Sequence, residues 1–61
     1  MARPFKVLDI ISMARPLRLL EIYVLDKTFY DISRGDERLY SGKNMEQALA
    51  EWSKVIAKYL T

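Results

Sequence analysis

Leu17-Arg18-Leu19-Leu20-Glu21-Ile22-Tyr23-Val24-Leu25 contains three β-branched or aromatic residues in a row, and its first half repeats sequence already written once. Such side chains suit a pleated, half-buried surface, so residues 17–25 are expected to form a strand. Met1-Ala-Arg-Pro-Phe-Lys-Val-Leu-Asp-Ile10 returns as Met13-Ala-Arg-Pro-Leu-Arg-Leu-Leu-Glu-Ile22 with six of ten positions identical. The other four exchange like for like: Phe5 with Leu17, Lys6 with Arg18, Val7 with Leu19 and Asp9 with Glu21. A 12-residue tandem repeat, 1–12 and 13–24, favours one local structure in both copies. Residues 5–11 are therefore also expected to be a strand, with Ser12 to Pro16 as the connecting loop. Pro4 at a first helical position, and Lys6 and Asp9 three apart, suit a helix too, and that alternative stays open. Met13 is also a candidate start for a shorter product of 49 residues.

Downstream, Thr28–Ser33 and Glu37–Ser41 are short segments of strand formers separated by Arg34-Gly35-Asp36, where the glycine supplies the positive φ of a hairpin turn. Asp26-Lys27 is short enough to turn residues 17–25 into the next strand. Met45, Ala48, Leu49, Trp52, Val55, Ile56, Tyr59 and Leu60 fall on one stripe at helical spacing. Asn44 is placed as the N-cap with Gln47 three residues on, so residues 44–60 are expected to be an amphipathic helix. The fold class is α+β in one domain, 1–61: a small antiparallel β-meander of three or four strands with one C-terminal helix packed on one face. The alternative is αβββα, with an N-terminal helix.

Sixty-one residues, half of them hydrophobic and seven aromatic, are enough for an ordered domain and few enough that oligomerisation is a common route to stability. There is no Cys and no His, which removes disulfides and the usual zinc ligands. The remaining carboxylates and lysines form no constellation with Ser12, Ser33, Ser41 or Ser53, so no catalytic, metal or cofactor site is expected and the chain is read as non-enzymatic. Charges at Lys6, Asp9, Arg15, Arg18 and Glu21 interrupt the only apolar region long enough to consider as a membrane span or leader, which makes a cytoplasmic protein the expectation.

Simple alternation assigns Leu8, Ile10, Leu20, Ile22, Val24, Tyr30, Ile32 and Leu39 to the face under the helix, with the core centred on Trp52. The opposite face would then present Phe5, Val7, Leu17, Leu19, Tyr23 and Phe29 as anchors of a homo-oligomer or partner-protein interface, since soluble monomers rarely expose a contiguous apolar patch. On that assignment, charge at Leu19 or Tyr23 splits the assembly. A second candidate function is nucleic-acid binding through Arg3, Lys6, Arg15 and Arg18 together with Arg34 and Arg38 of the hairpin. Residues 1–18 hold four basic groups against one acidic, within a net charge of +2 and a pI near 9.1.

Leu39-Tyr-Ser-Gly-Lys-Asn-Met-Glu-Gln-Ala-Leu49 resembles the strand, glycine turn and helix start of HicB-type antitoxins. The αβββα order would instead resemble double-stranded-RNA-binding domains, although their lysine cluster at the last helix reads Lys43-Asn44-Met45-Glu46 here. Neither resemblance transfers a functional residue.

Overall fold

The computed structural model describes residues 4–60. Four strands, β1 (Phe5–Ile11), β2 (Leu17–Val24), β3 (Lys27–Arg34) and β4 (Glu37–Gly42), precede one helix, α1 (Met45–Leu60). The strands pair antiparallel in the order β1-β2-β3-β4, a meander with α1 across one face. The first repeat is thus a strand, and the αβββα alternative is set aside. The two copies form a hairpin with each other, opposing Phe5 to Ile22, Lys6 to Glu21 and Val7 to Leu20.

Helix α1 begins where its sequence directs. Asn44 Oδ1 accepts the Gln47 backbone N–H at 3.0 Å, and the Asn44 carbonyl accepts that of Ala48 at 3.0 Å. Glu46 in the first turn and Lys58 in the last complement the macrodipole. Its inward stripe places Ala48 and Trp52 in a core with Leu17, Leu19, Tyr30 and Ile32; Leu8, Ile11, Leu39, Tyr40, Val55, Ile56 and Tyr59 pack around them.

The structure corrects the face assigned to β2. Leu17 and Leu19 lie under the helix at 0% and 2% exposure, while Leu20, Ile22 and Val24 occupy the other face. Turn length is the cause. The two-residue turn Leu25-Asp26 opposes Val24 to Lys27, so odd residues of β2 share a face with even residues of β3, and Leu19 sits beside Ile32. Each edge strand departs from strict alternation through one bulge. In β1 the register shifts between Val7 and Asp9, which sends Leu8 and Asp9 toward the helix, so that Ile11 is also inward and Ile10 is outward. In β4 the shift lies opposite Ile32 and Ser33, and both Leu39 and Tyr40 pack against the core.

Two turns require positive φ. Gly35 supplies it at 62°, but the β2–β3 turn places Leu25 at 57° with its side chain 99% exposed. A side chain bearing a Cβ is disfavoured there, and Leu25 gains no burial in compensation. Leu25→Gly is expected to stabilise the monomer by about 0.5–1 kcal/mol, once the added backbone entropy of the unfolded chain is deducted. A thermal melt at low concentration checks this.

Candidate functional site

The sheet face away from α1 is built from three adjoining ladder rows. Phe5, Ile22 and Phe29 form the first; Val7, Leu20, Asp31 and Ser41 the second; Ile10, Arg18, Ser33 and Arg38 the third. Apolar groups therefore gather at one end of the face, where Val24 and the turn residue Leu25 extend them, and arginines at the other. Phe5, Val7, Ile10 and Val24 are between 41% and 52% exposed, whereas Leu20, Ile22 and Phe29 are half-buried by their neighbours. No element of the described residues covers them. The chain exposes 4570 Å² in a flat body of 37 × 23 × 16 Å.

Four of the expected interface residues sit as follows. Phe5, Val7 and Phe29 lie on this face; Tyr23 lies on the helix side and is 39% exposed. Leu17 and Leu19 are in the core and have no surface to offer a partner. The residues alternation missed are Leu20, Ile22, Val24 and Ile10, and the length of the Leu25-Asp26 turn was the signal that would have found the first three.

Polar contacts anchor the rim. Arg38 Nε meets Asp31 Oδ2 at 3.2 Å, with the Asp31 side chain 10% exposed, and Lys43 Nζ lies 5.5 Å from the centre of the Phe29 ring. Arg18 Nη2 donates to the Gly35 carbonyl at 3.2 Å, while Arg18 Nε and Ser33 Oγ have no hydrogen-bond partner in the chain.

Of the basic residues considered for nucleic acid, Arg3 lies outside the described residues. Lys6 is opposite Glu21, away from the rest. Arg15, Arg18, Arg34 and Arg38 converge on the β3–β4 turn end of the sheet, but on both faces and already engaged. Arg15 approaches Asp36 at 3.8 Å, a solvent-exposed pair worth little, and Arg34 stacks 4.6 Å over the Tyr59 ring.

On the helix side, Glu21 accepts a hydrogen bond from the Tyr23 hydroxyl and is also bonded to Tyr30, with Lys6 adding its positive charge. The Tyr23 bond, then the Tyr30 bond, hold the Glu21 carboxyl below its ordinary range, and the Glu21 bond raises both tyrosines above 10.0. The stability contributed by Glu21 is present above the ordinary carboxylate pKa and lost as pH falls through the lowered one; that of the tyrosines is present below 10.0 and lost as pH rises. Glu21→Gln is expected to bring the alkaline tyrosinate absorbance transition to lower pH; an unmoved transition would deny the cluster. Among the described residues no group of three His, Cys, Asp or Glu is placed to hold a metal ion, and no helix is long and apolar enough to cross a membrane. No protein family, curated protein or solved structure matches this chain.

Proposed function

We propose that the chain is a non-enzymatic interaction module that self-associates or docks a partner protein through the open face of its sheet. The observation that supports this reading is the uncovered apolar end of that face, the Phe5-Ile22-Phe29 row with Val7 and Leu20 beside it. In a two-layer domain this small, one helix covers one side of the sheet and nothing in the described chain remains for the other. Burying such a face gains about 25 cal/mol per Å² of apolar area, a driving force that a charged substitution at its centre removes. Ile22→Lys is expected to leave the near-ultraviolet signal of Trp52 unchanged and to abolish the rise of melting temperature with protein concentration that an associating wild-type chain displays. A wild-type melt independent of concentration, with solubility equal to that of the lysine variant, would overturn the reading.

The convergence of Arg15, Arg18, Arg34 and Arg38 at one end of the sheet favours a second reading, a small nucleic-acid-binding regulator. It predicts an affinity that falls steeply with salt and weakens on Arg15→Ala with Arg18→Ala. Salt-independent or undetectable binding to duplex and single-stranded oligonucleotides would remove it.

A further inference from the structure

We infer that the occupant of the open face is a second copy of this chain, stacked face to face about a two-fold axis that runs parallel to the strands. The inference rests on the interaction-module reading and adds the partner and its orientation.

The polarity of the face selects the axis. A two-fold perpendicular to the strands would reverse the rows and set Arg18 and Arg38 on the apolar end of the other copy. A two-fold along the strands keeps each row against itself while exchanging β1 with β4 and β2 with β3. Ile22 then packs on the partner copy's Phe29 and the reverse, so the apolar ends meet twice. Arg18 comes to lie over β3 of the second copy at its Ser33 row, one row from its Asp31, and Arg38 lies over Ile10. No arginine opposes an arginine. Asp31, which already holds Arg38 at 3.2 Å, lies opposite Leu20 of the second copy, one row from its Arg18, within reach of that long side chain.

The area is sufficient. Four strands about 4.8 Å apart and roughly seven residues long present on the order of 440 Å² of projected face per copy. Two copies with their side-chain relief reach about 1,200 Å², the lower bound for a stable interface.

A charge exchange tests the orientation. Arg18→Asp alone sets carboxylate against carboxylate across the axis, and Asp31→Arg alone sets guanidinium against guanidinium. Each is expected to weaken self-association about tenfold or more, and an equimolar mixture of the two is expected to restore it, because the mixed pair carries complementary charges at both contacts. Sedimentation of each variant and of the mixture reads this, with the Trp52 signal reporting folding. Asp31→Asn weakens association in the same direction and serves if Asp31→Arg does not fold.

Single variants that associate like the wild type, or a mixture that fails to recover, would overturn the inference. If Ile22→Lys still abolishes association in that case, the interaction-module reading stands with a different orientation. A wild-type monomer at every concentration would remove the inference, and an Ile22→Lys variant no more soluble than that monomer would remove the interaction-module reading as well.

Discussion

Trp52→Ala is expected to cost about 3–5 kcal/mol, the range for removing a large aromatic side chain from a packed core. A 61-residue chain has roughly 3–9 kcal/mol of stability in total, so the variant should be largely unfolded at room temperature. Trp52 is 5% exposed and meets the sheet where Leu17, Leu19, Tyr30 and Ile32 converge. It also ties the ends of the chain together, since its Nε1 donates to Asp9 Oδ2 at 3.1 Å, across 43 positions of sequence. The β1 bulge is what aims Asp9 at the helix. Trp52→Phe keeps most of the buried ring and loses that hydrogen bond, so its expected cost is smaller, about 1–2 kcal/mol. Urea unfolding followed by far-ultraviolet circular dichroism separates the two, and equal costs would mean that Trp52 is not the packing centre.

The second large effect contrasts two adjacent leucines. Leu19→Lys buries an ammonium beside Ile32 with no acceptor, and the expected outcome is an unfolded chain at every concentration. Leu20→Lys places the same charge on the open face, where the expected change in monomer stability is within about 1 kcal/mol and the loss is in association. Far-ultraviolet spectra of the two variants check this. A folded Leu19→Lys with an unfolded Leu20→Lys would reverse the two faces of the sheet.

That contrast marks where the sequence was legible. The elements were, because their signals are local: β-favouring triplets, a Gly35 turn, an Asn44 cap and a stripe at helical spacing. The first repeat resolved as a strand for the reason its second copy suggested. The face of β2 was misread by alternation alone, because both faces of this strand are apolar and alternation supplies only a period, leaving the phase to be set by the two-residue Leu25-Asp26 turn. Residues of β1 and β4 escaped a period-2 reading because bulges at Leu8 and Leu39 each turn two consecutive residues inward. The repeat also misled, since identical sequence does not imply an identical side of the sheet. In an antiparallel hairpin Val7 faces outward while its counterpart Leu19 is in the core, and only after the bulge do Asp9 with Glu21, and Ile10 with Ile22, come into phase. The sheet does carry an uncovered apolar face, but Leu20 and Ile22 stand on it where alternation had placed Leu17 and Leu19.

The open face is tested most directly by the solution mass of the wild-type chain, measured by light scattering after size exclusion at low and at high salt. The expected result is about twice the 7.2 kDa chain mass in both, since apolar burial survives screening of the rim charges. A mass of one chain at both salts, across the accessible concentration range, would contradict it.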